Sequence, residues 1–151
     1  MLNGDPVNQV ERAMVALRRS QGRRRLARMA KERGGPRLDP TLFAVLDAVE
    51  EHEEGGCTVG VVAEAMSVDQ PRASRLVSRA VTEGLLRRAA DQRDGRRTLL
   101  ELTPTGRRHL DELHAFRRSV FAEAMADWSA DDRARFADLL TRFARAYTTL
   151  P

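Results

Sequence analysis

Between Gln70 and Arg97 the sequence sets out hydrogen-bonding side chains in two groups. Gln70, Arg72, Ser74, Arg75, Ser78 and Arg79 are interleaved with Ala73, Leu76, Val77 and Ala80 at the three-and-four rhythm of a helix, so one face is apolar and the other polar. Arg93, Arg96 and Arg97 follow in a short loop that also holds Asp91, Asp94 and Gly95. Gln and Arg offer paired groups that match base edges in a DNA major groove. Ser and Arg also suit phosphate oxygens, and the strong negative potential of a narrow minor groove attracts arginine. This chemistry is non-covalent recognition of a polyanion. A carboxylate would be repelled at such a surface unless paired. Asp91, ahead of Asp94, is therefore expected to hold a neighbouring arginine and brace the loop.

Charge along the chain agrees. The net charge is +4 over 151 residues, and all basic residues but Lys31 are arginine, a bias that a GC-rich genome also produces. Residues 1–38 carry ten basic and three acidic groups, whereas residues 39–66 carry seven acidic groups and no basic one. Residues 69–97 carry eight basic and four acidic groups, and residues 98–151 balance at eight each. Such segregation fits one surface facing a polyanion and another turned away from it.

The elements that must position these residues are mostly helical. A first helix is expected near 7–33, with Val10, Met14 and Leu17 and then Leu26, Met29 and Ala30 on its apolar face, ended by Gly34-Gly35-Pro36. Its middle, Arg23-Arg24-Arg25, could touch phosphate, form a solvated face, or pair with the acidic second helix. Asp39 caps that second helix, with Pro40 in its first position. The glutamates 50, 51, 53 and 54 crowd its end, where the helix dipole disfavours them. They read as a metal cluster, a solvated end, or an end neutralised by the first helix. Thr58 caps a third helix, Val59–Met66, and Asp69 caps a fourth that closes at Gly84. Ser67 occupies the turn between them, where glycine would sit more easily. Strands Leu85–Ala89 and Thr98–Leu102 flank the arginine loop as a β-hairpin. Thr103-Pro104 starts a long fifth helix running to about Trp128, and Ser129 caps a sixth bearing Phe136, Leu139, Leu140, Phe143 and Tyr147.

Other chemistry finds little footing. There is no P-loop, no glycine-rich dinucleotide fingerprint and no nucleophile–base constellation, so neither an enzyme nor a cofactor is expected. His109 and His114 are five apart, about 140° around a helix, and do not form a metal-ligand pair; no metal is expected. Cys57, the single cysteine, is either a redox switch or a structural thiol, and its acidic neighbours argue for the second. No apolar run is long enough to span a bilayer, and no secretion signal is evident at the N-terminus. A bacterial cytoplasmic protein is expected.

The run Ala63–Gly106 resembles the winged helix-turn-helix of the MarR family of bacterial transcription regulators. The resemblance is carried by Val68-Asp69-Gln70-Pro71-Arg72-Ala73-Ser74-Arg75-Leu76-Val77, by Asp91-x-Arg93-Asp94-x-Arg96, and by Leu102-Thr103-Pro104-x-Gly106. It implies a mainly α fold with a small β-hairpin wing, in one domain: dimerisation helices at 1–38 and 107–151 around a winged lobe at 39–106. It further implies a homodimer, with the recognition helix in the major groove of a pseudo-palindromic operator and Arg93, beside Arg96 or Arg97, in the minor groove. A repressor released by a small-molecule effector is the expected mode, with helices one, two and five lining the pocket. A protein-interaction module that reuses the winged helix, and an architectural DNA binder without effector, are the alternatives.

Overall fold

A computed structural model describes residues 4–20, 24–37 and 39–151. Among the described residues, seven helices and one hairpin follow in order: α1 (Pro6–Ser20), α2 (Arg24–Arg33), α3 (Pro40–Glu51), α4 (Val59–Met66), α5 (Gln70–Thr82), β1 (Leu86–Ala90), β2 (Thr98–Leu102), α6 (Pro104–Ala124) and α7 (Ala130–Thr148). The expected first helix thus comprises α1 and α2. Arg23 and the side chain of Arg24 lie outside the described residues, and Arg25 is exposed. The chain forms two compact units, residues 1–116 and 117–151.

Caps set the helix starts. Asp39 accepts from the Thr41 amide at 2.7 Å, Thr58 from Val61 at 3.3 Å, and Asp69 from Arg72 at 2.7 Å. Thr103 accepts from Gly106 at 3.0 Å, and Ser129 from Asp132 at 3.1 Å. Each satisfies an amide that the first helical turn leaves without a partner.

In the first unit, α3 is the central post. Leu42, Val45, Leu46 and Val49 are fully buried against Val62 and Met66 of α4, Ala73, Val77 and Ala80 of α5, and Leu110 and Leu113 of α6. Each buried Leu or Val side chain contributes roughly 1.5–3 kcal/mol. Ser67 turns α4 into α5 at φ 54°, the one non-glycine residue with positive φ among those described; its amide and that of Val68 both donate to the end of α4.

The hairpin is antiparallel, with Leu86 opposite Leu102 and Ala90 opposite Thr98. The Leu100 amide also donates to the Cys57 carbonyl at 2.7 Å, adding a single bridging residue as a third strand that the sequence did not signal. The exit from β2 is tight. Thr103 donates through its hydroxyl to Gly84 O and through its amide to Leu85 O. A Cβ on Gly106 would collide with that Leu85 oxygen.

The second unit departs from expectation at its start. The long helix ends at Ala124 rather than near Trp128. Arg133 reaches back to donate to Met125 O and Ala126 O, both at 3.0 Å, and Trp128 packs edge-on against Phe136 with ring centroids 5.2 Å apart. Apolar spacing that continues a helix on paper here belongs to a turn closed by the next helix.

Two substitutions test the backbone. Gly106→Ala should lower stability by about 1–3 kcal/mol or more, because the obstructing atom is main chain. Ser67→Gly should raise it by up to about 1 kcal/mol by relieving the left-handed conformation. Urea unfolding of both variants beside the wild type reads each effect.

Candidate nucleic-acid interface

Helix α5 is buried along one stripe only. Ala73, Val77 and Ala80 are fully enclosed, while Gln70, Arg72, Ser74, Arg75, Ser78 and Arg79 are all exposed, as the periodicity indicates. Small residues on the inner stripe let α5 lie close against α3 and α4, which leaves its long polar side chains outside.

The exposed arginines fall into two groups. Among the described residues, Arg72 and Arg75 on α5 and Arg93 and Arg96 on the loop have no carboxylate within ion-pair distance, so these guanidiniums are available to an external anion. Others are engaged. Arg79 donates to Asp39 at 3.1 Å and to Glu83 at 3.0 Å. Arg87 pairs across the hairpin with Glu101 at 2.7 Å, and Arg97 faces Asp91 at 3.7 Å. Ser78 accepts from Arg88 of β1 at 3.2 Å. Arg88 is therefore a cation beside the end of α5 that the sequence reading missed. A partner on a different element, outside any shared periodicity, gives no sequence signal.

Asp91 ties the loop to itself. Its Oδ1 accepts from the Arg93 amide at 2.9 Å, its other oxygen faces Arg97, and its own amide donates to Arg97 O at 3.0 Å. Asp94 adds a second local turn, accepting from the Arg96 amide at 3.1 Å. Both aspartates thus hold backbone in place while the Arg93 and Arg96 side chains remain outside. Asx turns of this kind fix a short loop without a core.

At the acidic end of α3, Glu50 and Glu53 are met by side chains of α6. Arg107 pairs with Glu53 and approaches Glu50 at 3.9 Å, while His114 Nε2 lies 2.8 Å from the other Glu50 oxygen. Asp47, Glu50 and His114 bring one ligand atom each within 4.8 Å of one another. Glu50 already has two cationic or hydrogen-bonding partners from α6, so the cluster acts as a tie between helices. His109 lies apart from it, in an open cleft of about 710 Å³ with Gly35, Arg37, Glu112 and Phe116.

The Asp39 carboxyl is held below its ordinary value, first by the Thr41 amide and then by Arg79, against the opposing effect of partial burial. Cys57 is buried, and that burial pushes its thiol up to about 11.

Comparison with known proteins places this geometry. The sequence profile of the MarR family matches residues 38–97. A probable transcriptional regulator from Pseudomonas aeruginosa is 30% identical, with 85% of this chain and 94% of that chain covered at a TM-score of 0.57. A MarR family protein from Bacillus stearothermophilus is 22% identical and shares the fold at a TM-score of 0.76, covering 99% and 100% of the two chains. A mutant of S. aureus MepR bound to an oligodeoxyribonucleotide is 17% identical, covers 95% and 99%, and has a TM-score of 0.58.

A buried thiol with a raised pKa forms little thiolate near neutrality. Cys57 in the folded protein should react with a disulfide reagent far more slowly than in denaturant at pH 7. Its rate should rise about tenfold per pH unit from neutrality and level off only near pH 11; fast reaction at neutral pH in the native state would restore the redox-switch reading.

Proposed function

The chain belongs to the MarR family of transcription regulators, and we propose that it is a homodimer that binds duplex DNA sequence-specifically at a pseudo-palindromic operator and represses transcription until a small-molecule effector releases it. The observation that carries this reading is the exposed polar face of α5 together with a braced loop whose Arg93 and Arg96 form no ion pair among the described residues. A rigid helix face bearing Gln and Arg suits a major groove, and arginines on a short hairpin suit the adjacent minor groove. The proposed contacts are Gln70, Arg72, Ser74, Arg75 and Ser78 from α5 and Arg93, Arg96 and Arg97 from the wing, with Asp91 as brace; Arg79, expected at the same face, is left out of the set because Asp39 and Glu83 hold it. A neighbour of the same fold, MepR, is bound to an oligodeoxyribonucleotide, which supports DNA as the partner here.

The proposed dimer has its own support. Val7, Val10, Met14 and Leu17 line α1 and are all exposed, and so are Phe136, Leu139, Leu140, Phe143 and Tyr147 of α7. Apolar stripes of this length left in water mark an interaction surface. A two-fold partner matches a two-fold operator, with half-sites about 10 bp apart. Residues 1–38 and 107–151 would supply this interface and 39–106 the DNA-binding lobe. No described helix is long and apolar enough to cross a membrane; the proposed place of work is the bacterial cytoplasm, with the chromosome.

Selection from a randomised duplex pool, followed by anisotropy titration at two salt concentrations, tests the reading. The expected outcome is a two-fold enriched site whose affinity falls log-linearly with salt, with a slope near −0.9 per phosphate contacted. Enrichment of no sequence would indicate an architectural binder, and no binding at low salt would indicate a protein-interaction module. On the enriched site, Arg75→Ala should cost roughly 1–3 kcal/mol and relax specificity at the base it reads. Arg93→Ala should act mainly at flanking A·T-rich positions.

A further inference from the structure

Arg72, Arg75 and Arg79 recur at intervals of three and four residues and lie along one stripe of α5. Arg79 differs from the other two because its guanidinium is held at both ends. Nη1 donates to Asp39 Oδ2 at 3.1 Å, and Nε donates to Glu83 Oε1 at 3.0 Å. Asp39 comes from 40 residues earlier and is itself fixed. Its Oδ1 caps α3 through the Thr41 amide at 2.7 Å, so the carboxylate cannot follow Arg79 outward without opening the helix start. Glu83 lies just past the end of α5, and its pair with Arg79 is about as exposed as that of Asp39, so each is weak by itself and Asp39 is distinguished by being fixed in its cap. Two carboxylates around one guanidinium leave the group with a net negative charge, which a phosphate would not approach. We propose that Asp39 is a positioning residue that withholds Arg79 from the DNA backbone, so that α5 itself adds no arginine contact to phosphate beyond Arg75.

The proposal rests on α5 being the DNA-reading helix, and it adds a statement about strength. Binding to arbitrary sequence is set largely by the number of phosphates neutralised. An arginine kept off the backbone lowers that background, and the residue responsible caps α3, outside the reading helix.

Asp39→Asn separates the two jobs of this side chain. Asn caps a helix about as well as Asp, but it no longer holds the guanidinium by charge. The experiment titrates wild type, Asp39→Asn, Arg79→Ala and the double variant against a mixed-sequence duplex of about two helical turns, with thermal melts showing that each is folded. Freeing one arginine should steepen the salt slope by about 0.9 and tighten binding roughly eight-fold near 0.1 M salt. Arg79→Ala alone should leave the wild-type slope unchanged, and the double variant should behave like Arg79→Ala. The proposal is overturned by an unchanged slope in Asp39→Asn. It is equally overturned by a gain that persists without Arg79, since that gain would come only from deleting a negative charge. A slope flattened by Arg79→Ala alone would overturn it too, because Arg79 would then already touch phosphate. A wild type that binds no duplex at low salt would instead remove the DNA-binding reading beneath it.

Discussion

The molecule's working surface depends on how closely α5 can lie against its neighbours. Ala73 and Ala80 are fully buried on its inner stripe, with Val77 between them, and these small side chains set a short distance to α3 and α4. Interiors are close-packed, so this spacing is not adjustable by a methylene without cost. Everything outward follows. The long side chains of α5 have no room on the inside, and the turn at Ser67 must take a left-handed backbone to bring the two helices together. The hairpin then starts directly from the end of α5, where Gly84 reverses the chain at φ 75° and the Leu85 amide returns to Ala80 O.

Electrostatics adds a division that packing alone does not make. Exposure is nearly uniform along the outer face of α5 and around the loop, yet the arginines there are not equivalent. Some are tied to Asp39, Glu83, Asp91 or Glu101, and others form no ion pair among the described residues. Surface pairs of this kind contribute little to folding. Their effect here is on which charges remain for an external partner. At the acidic end of α3, Glu50 and Glu53 are met in the same way by Arg107 and His114 of α6.

Local features were legible in the sequence. The capping residues Asp39, Thr58, Asp69 and Ser129 each do what their position before an apolar run implies, and the inner and outer faces of α5 divide as its periodicity requires. The brace at Asp91 was legible because an acid inside an arginine loop needs a reason. Features that join distant segments were not. Nothing in the spacing ties Asp39 to Arg79, Arg88 to Ser78, or Glu50 to His114, because those contacts are made by the fold and not by a repeat. The end of α6 was misjudged for a related reason: Trp128 continues an apolar rhythm, but its partner Phe136 lies in the following helix.

The single bridge between Cys57 and Leu100 joins the segment entering α4 to the root of the hairpin. The chain leaves Cys57, runs through α4 and α5, turns into β1, and comes back through β2 to the same hydrogen bond. The helix pair and the wing are therefore links of one closed kinematic loop, not two arms on separate pivots. A rotation imposed at the entrance to α4 is carried to the wing root through main chain and through that one hydrogen bond, so the helix pair and the hairpin turn together.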